Sequence, residues 1–260
     1  MTEQTPREAT AFIAQQIALG DDLWPSPEPP KVDRDVAAPP PKNDQPKPAA
    51  TADMVSDSMT ADSPPVSQAR NSWDGLTLDG FQKAVCECQT CPLGATRTMF
   101  VFGQGDPNAD LMFIGEAPGK DEDEQGLAFV GRAGQLLTKM IDAMGLSRDT
   151  VFIANVLKCR PPSNRDPAPH EVEMCEPYLK HQIELIKPKI ICALGRIAAQ
   201  TLLQSNESLG KLRQQTHTYE GIALWATYHP AYLLRDPRQK RPAWDDLKRI
   251  RFALDGTTLQ

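Results

Sequence analysis

The residues able to do chemistry in this 260-residue sequence fall into two sets. The first is cysteine. Cys88 and Cys91, in Cys-Gln-Thr-Cys, put two thiolates on one turn, a spacing that lets both reach one metal centre. Cys159, in Lys-Cys-Arg-Pro-Pro, and Cys175 are the candidates to complete four ligands. Cys192 lies in an apolar run and reads as a small core residue, and Cys86 is left as a spare. Structural zinc and an iron–sulfur cluster both fit four thiolates, and spacing alone leans towards zinc. The second set is Asn155, His229 and Phe129, each at or beyond the carboxyl end of a predicted strand, where open α/β sheets bind ligands. An amide, an imidazole and an aromatic ring are the parts needed to hold a flat heterocycle. Taken singly, Asn155 could cap a turn, His229 could pair with a carbonyl and Phe129 could be core; together they favour a pocket.

A third stretch sits with them. Gly115-Glu116-Ala117-Pro118-Gly119 follows the apolar run Leu111 to Ile114 and precedes the acidic Asp121 to Glu124. A constrained turn there leaves backbone N–H groups and a carboxylate at the rim of a sheet, although Gly and Pro also serve to redirect a chain.

The elements that must position these groups follow from periodicity. Leu111 to Ile114, Val151 to Val156 and Ile190 to Leu194 are short apolar runs suited to burial on both faces. Helices are predicted over Thr77 to Cys86, Gly134 to Met144, Pro169 to Ile186, Arg196 to Leu203 and about Pro242 to Leu254. Thr216 to Tyr219 and Ile222 to Thr227 read as a hairpin whose second strand joins the main sheet. Alternating strands and helices predict βαβ crossovers, hence a three-layer α/β/α domain around a mainly parallel four-stranded sheet.

Composition sets the limits of that domain. Of 24 prolines, 11 lie between Pro25 and Pro65, in a stretch with no aromatic residue. Residues 25–72 are therefore expected to be a disordered linker. Ahead of it, residues 1–24 carry apolar positions at helical spacing and predict one short amphipathic helix, for a protein partner or for docking back on the domain. The folded domain is assigned to 73–260. Net charge is −6, which argues against a generally basic nucleic-acid coat, yet Arg235 to Arg251 holds seven Lys or Arg against three Asp. No apolar run reaches membrane-spanning length and the N-terminus shows no basic region followed by an apolar core, so a cytoplasmic, nucleoid-associated monomer is expected, with cysteines that include metal ligands rather than a disulfide framework.

Four motifs in order then carry a resemblance: Gly115-Glu-Ala-Pro-Gly119, Gly126-x-x-Phe129-Val-Gly-x-Ala-Gly-Gln-Leu-Leu137, Asn155-Val-Leu-Lys-Cys-Arg-Pro-Pro162 and His229-Pro-Ala-Tyr-Leu-Leu-Arg235. Over Val85 to Leu254 the chain resembles family 4 uracil-DNA glycosylases, the type that carries a four-iron, four-sulfur cluster. The resemblance implies removal of uracil from single- or double-stranded DNA, leaving an abasic site. It reverses the zinc preference in favour of a [4Fe-4S] cluster on Cys88, Cys91, Cys159 and Cys175. It also implies that Phe129 stacks on the flipped uracil, Asn155 reads its Watson–Crick edge and His229 donates to O2. The backbone at Glu116 and Ala117 would complete the pocket and help place water.

Breaking an N-glycosidic bond leaves positive charge on the sugar and negative charge on the base, so a donor at uracil O2 acts most strongly in the transition state. A carboxylate near the first strand end could orient water. Related families use Asp or Asn just after that strand; here Glu116 stands there, with Glu122 and Asp123 beyond, which leaves the water-activating group open. Glu122 could instead fill the space of a thymine methyl group. Past His229, Leu233 and Leu234 could supply a wedge for the vacated stack, with Arg235, Arg238, Lys240 and Arg241 on phosphates. Two rival readings are a uracil-DNA trapping protein with little turnover and a cluster-carrying interaction module. The trapping branch uses a histidine in an added basic loop, and Asp236-Pro-Arg-Gln-Lys-Arg-Pro242 has none.

Overall fold

The computed structural model describes residues 73–256. The amphipathic helix and linker expected over 1–72 lie outside the described residues. In chain order the elements are α1 (Leu78–Val85), β1 (Gln104–Gly105), β2 (Leu111–Gly115), α2 (Lys120–Gln125), α3 (Arg132–Ala143), β3 (Phe152–Asn155) and α4 (Pro169–Ile186). There follow β4 (Ile190–Leu194), α5 (Arg196–Leu203), α6 (Leu209–Leu212), β5 (His217–Tyr219), β6 (Ile222–Thr227), α7 (Pro230–Arg235) and α8 (Lys240–Leu254).

The strands form one sheet in the order β1-β3-β2-β4-β6-β5. Its centre, β3-β2-β4-β6, is the expected set of four parallel strands. The sheet nevertheless has six strands, because β1 and β5 add antiparallel edges. β5 is the first arm of the expected hairpin, and its turn residues Glu220 (φ 47°) and Gly221 (φ 78°) both take the positive φ of a tight two-residue turn. β1 was unexpected. It is the dipeptide Gln104-Gly105, too short to show a period, and pairs with Ile153 and Phe152.

All five residues of β2 and all five of β4 are buried, as strands covered on both faces must be. Alternation decides which helix each residue meets. Met112, Ile114, Ile191 and Ala193 share one core with Phe81 of α1, Leu179 and Ile183 of α4, and Ala199 of α5. Leu111, Phe113, Ile190 and Cys192 share the other with Leu137 and Met140 of α3 and with Leu247 and Ile250 of α8. Cys192 is thus the core residue the sequence suggested.

The order of the strands creates the site. From β2 the chain crosses to β3 on one side, then back over β2 to β4 on the other, so β2 lies at the topological switch point. Ligands of open α/β sheets bind at the carboxyl ends beside such a point.

Candidate functional site

A cleft of about 680 Å3 opens there, lined by Glu116, Ala117, Phe129, Asn155, Tyr228 and His229 among others. Parallel register places Gly115 opposite Asn155 at the ends of β2 and β3. A Cβ at Gly115 would lie 2.4 Å from Asn155 Oδ1 and 2.5 Å from the tip of the Phe129 ring. Glycine is therefore what lets the amide and the ring meet at the strand end.

Asn155 is 2% exposed, and its Oδ1 has no hydrogen-bond partner. A buried acceptor left unpaired costs on the order of 1–3 kcal/mol, and in Asn155 it faces a cleft, unlike the other two unpaired atoms among the described residues, His181 Nε2 and Trp225 Nε1. Phe129 is 6% exposed and holds a positive φ of 54°, uncommon for a bulky residue. Its ring lies 5.6 Å from the His229 imidazole, centre to centre.

His229 caps α7, accepting the Ala231 N–H at Nδ1 over 3.1 Å. An accepting Nδ1 carries no proton, so Nε2 is the donor of the neutral ring. Burial, and secondarily the Arg235 charge, hold the imidazole down to about 4. It is therefore neutral at physiological pH and still able to donate.

Glu116 is the carboxylate with unusual properties. Burial, reinforced by Asp166 and opposed by Arg196, pushes it up to about 7. It can hold or release a proton near neutral pH. Glu122 also lines the cleft, but its Oε1 accepts from the backbone N–H groups of Val130 and Gly131, both at 2.9 Å. Asp123 is buried and accepts from the Thr98 N–H over 2.9 Å, so it is tied to the chain before β1.

The predicted DNA-contacting run divides. Leu233 is fully buried in the core and cannot be a wedge, because the fourth residue of α7 points inward; Leu234 is 38% exposed. Arg235 lines the cleft, Arg238 forks onto Asp236 at 2.8 and 3.2 Å, and Lys240 opens α8.

The four candidate ligand cysteines lie on the α1/α4 face. Cys159 and Cys175 are buried, and Cys88 and Cys91 pack against the same core. Among the described residues no three His, Cys, Asp or Glu side chains close on one ion. The thiols are near enough to influence one another, however: Cys91 and Cys88 act on Cys159, and Cys159 and Cys91 act on Cys175. The donors around them suit thiolates. Lys158 N–H points at Cys175 Sγ (3.3 Å), the Arg97 guanidinium at Cys159 Sγ (3.4 Å) and Thr90 N–H at Cys88 Sγ (3.5 Å). This donor set fits a thiolate-held metal group. Cys86 Sγ donates to the Lys83 carbonyl at 3.3 Å and lies 4.0 Å from Glu87 Oε1.

Sequence reasoning missed several supports. Asp166 and Arg196, which act on Glu116, had a positional signal, since Arg196 follows β4 at its carboxyl end. Lys158, fully buried, had none: its Nζ donates to the Asn155 carbonyl (2.9 Å) and to Gln182 Oε1 (2.6 Å). It joins the cysteine region to the strand end that carries the amide.

Comparison with known proteins agrees with this geometry. The family model described as the Uracil DNA glycosylase superfamily matches residues 102–248. The chain is 44% identical over 184 residues to a type-4 uracil-DNA glycosylase of Sulfurisphaera tokodaii, covering 67% of this chain and 84% of the relative. It is 44% identical over 188 residues to that of Saccharolobus solfataricus (69% and 87%) and 42% identical over 182 residues to that of Archaeoglobus fulgidus (67% and 92%). With the matched span running from before β1 into α8 and enclosing every residue of the cleft named above, the chain belongs to the uracil-DNA glycosylase superfamily.

Proposed function

We propose that this protein hydrolyses the N-glycosidic bond of uracil in DNA, releasing uracil and leaving an abasic site for repair. The observation that carries this reading is the unpaired Oδ1 of Asn155, buried beside the Phe129 ring at the switch point. Uracil offers a donor at N3 next to an acceptor at O4, which an amide matches with its oxygen and nitrogen. Cytosine, with an acceptor at N3 and a donor at N4, presents the reverse pattern, and thymine differs from uracil by its methyl group.

The chemistry is a displacement by water at C1′. The C1′–N1 bond breaks with its electrons passing to the base, and charge develops on uracil O2. Nε2–H of neutral His229 stabilises that charge without first giving up a proton, which is why a ring held down to about 4 is suited to the task. Water adds its oxygen to C1′; one proton is taken up by a carboxylate or solvent and the uracil anion is later protonated. Glu116, at the rim and titrating near 7, is the group placed to orient that water and face the positive sugar. Glu122 is assigned to holding the loop of Phe129. Leu234 would fill the vacated stack, and Arg235, with Lys240, would lie along phosphates.

Cys88, Cys91, Cys159 and Cys175 would hold the [4Fe-4S] cluster that the family resemblance implies. When bound it supplies a cross-link between the turn after α1, the loop after β3 and α4; no step of the hydrolysis needs it. Zinc is the alternative at the same thiols. No helix among the described residues is long and apolar enough to cross a membrane, and the expected place of action is with the cell's DNA.

Incubation with a single-uracil oligonucleotide followed by alkali tests the proposal. Strand scission at the uracil, with free uracil released, is expected. No scission at excess enzyme refutes it, and a denaturant-resistant protein–DNA band would favour trapping.

A further inference from the structure

The loop that carries Phe129 is held more firmly than a surface loop requires. Arg148, in the segment after α3, donates from one guanidinium nitrogen to the Ala128 carbonyl (2.7 Å) and from another to the Phe129 carbonyl (3.2 Å). The second nitrogen also reaches Thr138 Oγ1 (3.3 Å), and Gln104 Nε2 donates to Ala128 O (3.0 Å). On the opposite side Glu122 accepts the next two N–H groups, those of Val130 and Gly131. A cation thus grips consecutive carbonyls and a carboxylate grips consecutive amides of one short segment. The charges complement the peptide dipoles, and both bonds are of the charge-assisted kind.

That grip has something to hold in place. Phe129 sits at φ 54°, a conformation a bulky residue leaves unless its surroundings impose it. Its carbonyl is pressed so close to α3 that a Cβ on Gly134 would lie 1.8 Å from Phe129 O. A loop displaced outward would carry the ring away from Asn155 and the end of β2.

We infer that Arg148 is a positioning residue for base recognition: by forking onto the Ala128 and Phe129 carbonyls it sets the plane on which uracil stacks. The inference rests on the uracil reading above and assigns a function to a side chain remote from the reacting atoms. Lysine keeps the charge but is a point donor without the planar fork, so Arg148→Lys separates geometry from charge.

The test measures single-turnover uracil release by wild type, Arg148→Lys and Arg148→Gln, each also in a Phe129→Leu background. Affinity for DNA bearing a stable abasic analogue and amide hydrogen exchange at Val130 and Gly131 are read in parallel. Arg148→Lys is expected to slow release about tenfold, because misplacing a positioning group by a fraction of an ångström costs that much. Abasic-DNA affinity should hold within about twofold and the two amides should exchange faster, since the loop alone is loosened. In the Phe129→Leu background the added loss should shrink to under about threefold, the non-additivity of residues acting as one unit. Equal losses in both backgrounds, unchanged release in both Arg148 variants, or unchanged exchange at Val130 and Gly131 would overturn the inference. A wild-type protein that releases no uracil fails the functional reading instead, while the exchange rates still decide whether Arg148 holds the loop.

Discussion

The strand-end cleft and the cysteine region lie in one domain, joined through Lys158, but they are built on opposite principles. At the cleft an acceptor is buried and left without a partner, an aromatic residue is held in an uncommon backbone conformation, and a carboxylate is pushed up to about 7. Around the cysteines, three of the sulfurs already receive backbone or guanidinium N–H groups, and Trp73, packed on Phe81 and Tyr178, belongs to the same core as Cys159 and Cys175. The first region leaves an acceptor unpaired where the proposed substrate would bond; in the second the sulfurs already have donors.

Substitutions should separate the two. The largest effect expected is on chemistry: His229→Ala should slow single-turnover excision by about 10²–10³-fold, the usual loss for one donor aimed at developing negative charge. Its affinity for abasic DNA should stay near the wild-type value by fluorescence anisotropy. Equal losses in rate and affinity would make His229 a folding residue and dissolve the contrast.

The cysteine region should respond the other way. Cys175→Ser is expected to abolish the broad visible absorbance of the purified protein and to lower thermal stability by about 2–5 kcal/mol, comparable with losing a covalent staple. In the fraction that remains folded, calorimetry and single-turnover assay together should show excision within about threefold of wild type. A colourless wild-type protein containing zinc would keep the contrast but replace the cluster.

A smaller effect is expected of pH. Glu116 must be ionised to face a cationic sugar, and its carboxyl is held up to about 7, so the rate should rise with pH below that value and level off above it. His229, neutral down to about 4, adds no step in that range. Glu116→Gln should flatten the profile. A profile that keeps its rise in Glu116→Gln would move the titrating group elsewhere.

How much of this could be seen beforehand differed between the regions as well. That Asn155 and His229 line one cleft was legible because each is a chemically distinctive residue at the end of a recognisable strand. The parallel core was legible from three apolar runs, and α4 was predicted at its observed bounds, with Pro169 at its start and Lys187 turning left-handed at its end. Leu233 was misread because a six-residue helix gives too little period to tell its inward from its outward leucine. Arg148, Lys158 and Glu122 act through long side chains on backbone groups of neighbouring segments, and those groups have no letter in the sequence.

The central claim is that the unpaired amide oxygen of Asn155 exists to be paired by uracil. Single-turnover release from one uracil-containing oligonucleotide by wild type and Asn155→Ala, with abasic-DNA affinity as control, tests it most directly. The account predicts stoichiometric release by wild type and a loss of about 10²-fold or more in Asn155→Ala at unchanged affinity, since a site built around a hydrogen-bonded edge discriminates strongly. Excision by Asn155→Ala at the wild-type rate would contradict it.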